Sequence, residues 1–186
     1  MTVETSMHER RYAGEVERLR NPERLALLEV EKVVDLTLRG ISAQSVLDIG
    51  VGTAVFAEAF ARHGLRAYGI DVRLEMLQAA RALFPLGRYQ LAVAEALPHR
   101  TGAVDIAFLG LLLHESDEPV LTFAEAWRVA KKRVAILEWP FVEEEHGPPL
   151  EHRLRIDQVQ QIAQVAGARG VWTYPLAHTV LHIADH

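Results

Sequence analysis

Short apolar runs alternate with longer amphipathic segments along most of this chain, and this alternation limits the folds it can adopt. The runs are rich in Val, Ile and Leu, as buried strands are, and a helix or a stretch of helix length separates each from the next. The pattern predicts a parallel sheet with helices on both faces. The predicted strands are residues 45–49, 66–70, 89–93, 104–110 and 133–139, and the predicted helices lie near 54–63, 73–83 and 119–130.

The C-terminal residues follow a different rhythm. A helix near 157–166, ended by Gly167, precedes two apolar runs at 169–175 and 177–184. These runs are joined across Pro175, which leaves room for a hairpin and none for a crossover helix. We therefore expect an α/β fold with a Rossmann-like, seven-stranded, mostly parallel sheet whose last strand is antiparallel.

A helical segment precedes the first predicted strand. Asn21-Pro22-Glu23 suits a helix start, because Asn can cap, Pro fits the first turn and Glu favours the positive end. The apolar spacing that follows predicts one helix with a C-terminal cap at Gly40. Since 186 residues fit one domain, we expect a single domain, 1–186, with the helical segment in 1–44 and the sheet in 45–186.

Composition excludes several classes of function. The chain has no cysteine, so it has no disulfide, thiolate metal site or cysteine nucleophile. Its net charge is -5 and its Lys and Arg residues are scattered, which is unlike a nucleic-acid binder. No apolar run is long enough to span a bilayer, and the N-terminus lacks the apolar centre of a secretory signal. We expect a cytoplasmic protein that binds neither nucleic acid nor membranes.

A glycine turn follows the first predicted strand. Gly50 and Gly52 allow a sharp turn and a close approach by a ligand, at the sheet edge where open parallel sheets bind ligands. Asp71 ends the second strand, where a carboxylate can accept hydrogen bonds from the ribose hydroxyls of an adenosine. The alternatives are a turn without a ligand and an Asp71 that caps the following helix.

The turn also constrains the ligand. A dinucleotide-binding turn has a third glycine where this sequence has Val55. Asp48 lies so close to the helix start that it opposes a pyrophosphate and favours a cationic group such as an ammonium or a sulfonium. A nicotinamide-dependent oxidoreductase is therefore disfavoured.

Four stretches together resemble one family. They are "VLDIGVGTA", "YGIDVRLEMLQAA", "AEALPHRTGAVDIAFLGLLLH" and "RVAILEW", which occur in order across residues 45–139. In these motifs the sequence resembles the class I S-adenosylmethionine-dependent methyltransferases, in particular the ubiquinone- and menaquinone-biosynthesis group. The resemblance implies S-adenosylmethionine as cofactor and S-adenosylhomocysteine as product.

The resemblance also implies a set of cofactor contacts. The glycines would face the methionine part, Asp48 would brace the loop and the amine, and Asp71 would hold the ribose. The other residues would surround the adenine or complete the turn. The full set is Asp48, Gly50, Gly52, Thr53, Asp71, Val72, Met76, Val93, Ala94 and Glu95.

Two residues depart from the family's pattern. Ala54 replaces the usual third glycine, and we expect it in the first turn of the helix, where alanine is favourable. Val93 stands where relatives often carry an Asp that accepts the adenine amino group, so we expect a loss of about 1 kcal/mol of binding.

The acceptor side has less specific signals. His114, just after the fourth strand, is the candidate base, since imidazole accepts a proton near neutral pH; the alternative is a structural loop histidine. The segment 140–155 could cover the site, or form a solvated acidic lid. The candidate substrate-pocket residues are Tyr12, Glu138, Trp139, His146 and His152.

The sequence favours a small-molecule acceptor by elimination, since it lacks both a cysteine nucleophile and an Asn/Asp-Pro-Pro-aromatic turn after the fourth strand. The contiguous "EEEH" lacks the spacing of a ligand set, so no metal is expected. We expect a methyltransferase that acts by direct displacement, as a monomer or homodimer. The alternative is a non-catalytic module that binds the cofactor.

Overall fold

The computed structural model describes residues 16–186, which are built around a seven-stranded sheet. The strands are β1 Ser45–Ile49, β2 Arg66–Asp71, β3 Arg88–Leu91, β4 Val104–Gly110, β5 Ala130–Glu138, β6 Trp172–Pro175 and β7 Val180–Asp185. Their order across the sheet is β3-β2-β1-β4-β5-β7-β6. The chain thus places β1 and β4 side by side at the centre, with the strand order reversing between them.

The pairing confirms the predicted direction of each strand. β1 runs parallel to β2 and β4, and the parallel pairing continues to β3 on one side and β5 on the other. β7 inserts between β5 and β6 and is antiparallel to both. The hairpin closes just after Pro175, where the amide of Leu176 donates to the carbonyl of Thr179 at 2.9 Å.

Helices cover both faces of the sheet, as predicted. They are α1 Pro22–Leu28, α2 Val30–Leu38, α3 Val55–Arg62, α4 Leu74–Leu83, α5 Pro119–Val129 and α6 Ile156–Val165. The first four contribute buried side chains to one hydrophobic layer, and α5 and α6 contribute to the other. Between the layers β1 is buried at every position, which explains its continuous apolar run.

The helical segment before the sheet differs from the prediction of one helix. Asn21 caps α1 by accepting the amide of Glu23 at 2.9 Å, as expected. The helix then breaks at Glu29, which adopts a left-handed conformation with φ +45°. Its carboxylate accepts the amide of Ala177 at 2.8 Å, in the turn between β6 and β7. The break thus coincides with a distant contact that local apolar spacing does not encode.

Within residues 16–186, no helix combines the length and apolarity needed to cross a membrane.

Candidate functional site

A cavity of about 580 Å³ lies over the carboxyl ends of the central strands. Its volume is within the range of small-molecule sites. The turn after β1, the ends of β2 and β4, and the loops after β3 and β5 all contribute to its wall. The reversal of strand order between β1 and β4 places this opening where open α/β sheets bind ligands.

The turn between β1 and α3 is built on three left-handed residues. Gly50 has φ +73°, Gly52 has φ +50° and Ala54 has φ +63°. The prediction that Ala54 lies in the first helical turn is wrong, since Ala54 is the left-handed N-cap of α3. A left-handed conformation costs an L residue roughly 1–2 kcal/mol, which accounts for a glycine preference there.

Asp71 joins this turn to the end of β2. One carboxylate oxygen accepts the amide of Gly52 at 2.9 Å, and the other accepts the amide of Arg73 at 2.8 Å. Burial raises the pKa of the Asp71 carboxyl, while these amides act in the opposite direction. The N-cap of α4 is Arg73, so Asp71 is not the capping residue. Asp71 also lines the cavity.

Asp48 lies beneath the turn and is only 2% exposed. Its carboxylate accepts the amide of Ala57, in the first turn of α3, at 3.1 Å. Burial and, to a smaller extent, the nearby Asp71 raise the pKa of Asp48, the Ala57 amide lowers it, and the resulting pKa is about 8. Asp48 lines a small neighbouring cavity of about 70 Å³ rather than the large one. It braces the helix start from below.

Thr53 lines the same small cavity. Its carbonyl accepts two hydrogen bonds from the guanidinium of Arg20, at 2.8 and 3.2 Å. Its buried hydroxyl has no hydrogen-bond partner within the part of the chain that the structure describes. The site thus contains a buried polar atom that can bond to a ligand or a water molecule.

The side of the cavity next to β2 and β3 is open and largely apolar. Val72 and Val93 are 43% and 41% exposed, and both line the cavity together with the buried Met76 and with Ala94. Glu95 accepts the hydroxyl of Ser116 at 2.9 Å. These side chains form a slot suited to a flat ring.

His114 occupies the other side of the cavity, in a short 3₁₀ turn after β4. Its Nδ1 lies 2.6 Å from one carboxylate oxygen of Glu138, and its backbone amide donates to the other at 3.1 Å. Both side chains are buried. Burial lowers the pKa of His114, but the Glu138 carboxylate outweighs it and the net shift is upward.

The segment after β5, residues 140–155, covers the cavity, and one buried cation holds this covering segment in place. Arg153 is 4% exposed, and its guanidinium donates to four backbone carbonyls at 2.5–3.1 Å. The acceptors are Pro140, Val142, His146 and Pro148. Gly147 packs on the ring of Trp139 so closely that an added Cβ would lie 2.8 Å from it. This arrangement brings Trp139, Pro148, Pro149 and His152 to the cavity wall.

Most of the predicted site residues meet at this cavity. Those that line it are Gly50, Gly52, Asp71, Val72, Met76, Val93, Ala94, Glu95, His114, Trp139 and His152. Glu138 lies behind His114, and the ring of His146 lies 6.3 Å from that of His178. Tyr12 is outside the described residues.

Several cavity residues were missed by sequence reasoning. Leu111 has φ +59° directly after β4, and its amide donates to the carbonyl of Leu137. Glu115 and Arg24 also reach the cavity. Glu115 could have been found from its position beside His114, whereas Arg24 is brought in by packing of α1. Among residues 16–186, no group of three or more His, Asp or Glu side chains could hold a metal ion.

Comparisons with known proteins agree on the kind of domain. Residues 47–137 match the family model described as a methyltransferase domain. A solved S-adenosylmethionine-dependent methyltransferase from Aquifex aeolicus superposes with a TM-score of 0.80 at 27% identity, covering 91% of this chain and 96% of that one.

Curated relatives include two O-methyltransferases. The malonyl-[acyl-carrier protein] O-methyltransferase of Hamiltonella defensa is 29% identical over 63% of this chain and 50% of its own length. The ubiquinone biosynthesis O-methyltransferase of Sodalis glossinidius is 31% identical over 50% of this chain and 39% of its own. The chain thus spans half or less of the length of these relatives.

The fold and the site are those of an α/β domain of the methyltransferase type. Residues 47–137 form a methyltransferase domain, and the chain is similar to S-adenosylmethionine-dependent methyltransferases in sequence and in fold. Its own residues fit that cofactor: left-handed glycines open the backbone, Asp71 lines the cavity, and in the small neighbouring cavity the Thr53 hydroxyl is buried without a partner among residues 16–186.

Proposed function

We propose that this protein transfers a methyl group from S-adenosylmethionine to a small-molecule acceptor by direct displacement. The observation that carries the proposal is that Asp71 and His114, from different strand ends, line one and the same cavity. One half suits an adenosine, and the other offers a titratable group beside an apolar wall. A cavity filled by the protein's own side chains would not allow this chemistry.

Each half of the cavity has a role in binding. Asp71 accepts hydrogen bonds from the ribose hydroxyls, and its own two amide bonds keep the carboxylate in place. Gly50 and Gly52 let the methionine part approach the backbone. Asp48 braces the turn from beneath through its hydrogen bond with the Ala57 amide. The slot formed by Val72, Met76, Val93, Ala94 and Glu95 receives the adenine.

The cofactor supplies an activated methyl group on a sulfonium. The protein's residues therefore orient the acceptor and keep water out. The wall formed by Leu112, Trp139, Pro148 and Pro149 does both, because it is apolar and closes the cavity on the side of His114. The O-methyltransferases among the relatives support an oxygen acceptor in particular.

Calorimetry with S-adenosylhomocysteine tests the binding half of the proposal. We expect Asp71→Asn to weaken binding about 10- to 100-fold, since hydrogen bonds from ribose hydroxyls to a charged group are lost. Asp35→Asn, an exposed change on α2, is the matched control and should leave affinity unchanged. An unaltered affinity in Asp71→Asn would reject the ribose assignment.

Two further outcomes bear on the enzyme itself. Absence of heat with the folded wild-type protein would contradict the whole proposal. Tight binding without methyl transfer to any acceptor in a broad panel would favour the non-catalytic module.

A further inference from the structure

The contact between Glu138 and His114 fixes the position of the ring and also which ring nitrogen carries the proton. Glu138 uses one carboxylate oxygen for the backbone amide of His114 and the other for Nδ1 of the same residue. An ionised carboxylate only accepts hydrogen bonds, so the proton of this short contact belongs to Nδ1. In the neutral imidazole, Nε2 then carries the lone pair. One carboxylate thus fixes both the main chain and the tautomer of His114.

The second nitrogen of the ring, Nε2, is not engaged by Glu138, and His114 lines the cavity whereas Glu138 does not. Nε2 is 3.9 Å from a carboxylate oxygen of Glu115, which is beyond hydrogen-bond distance. Both His114 and Glu115 line the cavity, together with Leu112 and Trp139. A group of the acceptor that lies against this wall meets Nε2 and not Nδ1.

The charged groups around His114 come from four elements. Glu138 ends β5, and Glu115 follows His114 in the 3₁₀ turn. Arg153, which lies in the covering segment, opposes protonation of His114. His182 of β7 lies near the same Glu138 carboxylate, but burial lowers the pKa of His182 to about 4. His182 therefore stays neutral, and the negative charge of Glu138 acts on His114.

We propose that Glu138 is the positioning residue that holds His114 in its Nδ1-protonated tautomer, so that Nε2 takes the proton the acceptor loses. The proposal rests on the proposed function and adds the class of acceptor: one that reacts through a neutral hydroxyl or N–H, not one that is already anionic. The acceptor proton moves to Nε2, the electron pair it leaves forms the bond to the methyl carbon, and the electrons of the broken carbon–sulfur bond stay on sulfur.

A purely structural histidine would not need this arrangement. Burying a carboxylate costs several kcal/mol, and an apolar pair of similar volume would fill the space without that cost. The hydrogen bond from Nδ1 to Glu138 requires one tautomer, and that tautomer leaves Nε2 able to accept a proton, so the tautomer is the first property to measure.

Nitrogen NMR of the imidazole rings, in protein without ligand, measures it directly. Long-range proton–nitrogen spectra from roughly pH 5 to 9 report which nitrogen carries the proton and where the ring titrates. His114→Gln identifies the signal. In the wild type we expect a protonated Nδ1, with Nε2 as the nitrogen that gains the proton on acidification, at a pKa above that of a free histidine.

Variants separate the effect of Glu138 from general perturbation. Glu138→Gln should lower the pKa of His114 by about 1 unit or more, because the neighbouring charge is lost. Glu138→Asp should restore most of the upward shift in the pKa of His114. This variant remains informative if Glu138→Gln does not fold. Glu115→Gln is the matched control, with a smaller shift and the same tautomer.

The outcomes distinguish this inference from the proposed function. A wild-type His114 with the proton on Nε2, or a pKa that does not change in Glu138→Gln, overturns the inference whatever the cofactor. Absence of S-adenosylhomocysteine binding to the wild type overturns the proposed function, and the NMR result then stands by itself. In Glu138→Gln we expect that affinity to stay within about threefold of wild type, because Glu138 does not line the cavity.

Discussion

Asp48 is a buried acid whose raised pKa makes the folded state less stable as the pH increases. The Ala57 amide stabilises its ionised form, but burial and the nearby Asp71 outweigh that bond, and the pKa rises to about 8. The folded state therefore keeps a proton that the unfolded chain releases near pH 4. Stability is lost as the pH rises from there through about 8, because the unfolded state binds fewer protons across that window.

We expect Asp48→Asn to raise the free energy of unfolding at pH 8 by about 1–3 kcal/mol, since the amide removes the cost of the buried charge. Urea titration measures this. Asp105→Asn is the matched control: burial raises the pKa of Asp105, but the Gln44 amide and Lys132 outweigh it and the net shift is downward, so that variant should lose stability. Equal effects of the two changes would contradict the argument. Weaker S-adenosylhomocysteine binding by Asp48→Asn would place the acid in the cofactor site.

At the residue scale, spacing within the motifs predicted which side chains meet at the cavity. The ends of neighbouring parallel strands share one edge, so Asp71 and the glycines had to lie close together. The conformation of Ala54 could not be predicted in the same way. Helix propensity favours alanine in a helix, but its left-handed φ is imposed by the geometry of the turn. A local preference was overruled by tertiary structure.

At the element scale, the covering segment shows what composition cannot reveal. Residues 140–155 were predicted as a cover or a solvated acidic lid, because acidic and proline residues dominate them. In the structure the organising residue is the buried Arg153, whose guanidinium satisfies four carbonyls. Those acceptors are scattered over the loop, and no sequence spacing marks them.

Arg153→Met should release this segment while leaving the sheet intact. Hydrogen bonds to a charged donor contribute about 1.5–3 kcal/mol, so amides between residues 140 and 153 should exchange at least 10-fold faster. Hydrogen–deuterium exchange with mass spectrometry resolves the segment from β4 and β5. Arg62→Met, which removes exposed ion pairs with Glu31 and Glu58, is the control and should leave exchange of this segment unchanged. Unchanged exchange in Arg153→Met would show that other contacts hold the segment.

At the scale of the whole molecule, the alternation of apolar runs predicted the sheet, the direction of its strands and the hairpin. It did not predict the break at Glu29, whose carboxylate contacts Ala177 across the fold. The position of β7 is another long-range feature: insertion beside β5 brings His182 near Glu138, far away in sequence. The carboxylate of Glu138 therefore lies close to both the candidate site and the C-terminal hairpin.

The two histidines near Glu138, His182 and His114, predict how the free energy of unfolding depends on pH. Burial lowers the pKa of His182 to about 4, although Glu138 acts in the opposite direction. The folded state stays neutral at His182 while the unfolded chain takes a proton below about pH 6.5, so stability falls as the pH drops from 6.5 towards 4. His114 has the opposite sign: its raised pKa contributes stability that is full below about pH 6.5 and is lost as the pH rises through its folded value.

We expect the change in the free energy of unfolding from pH 7 to pH 5 to be more favourable by about 1–2 kcal/mol in His182→Gln than in the wild type, because the opposing effects of Asp48 and His114 are common to both proteins. Gln can keep a hydrogen bond to Thr173, which lies 3.1 Å from the imidazole in the wild type, so the change mainly removes the titrating group. Urea titrations at the two pH values measure the difference. His178→Gln, at a side chain 42% exposed, should follow the wild type. If the free energy of unfolding of His182→Gln changed with pH as in the wild type, His182 would take up its proton inside the folded protein. The Glu138 carboxylate would then stabilise the protonated forms of both His182 and His114.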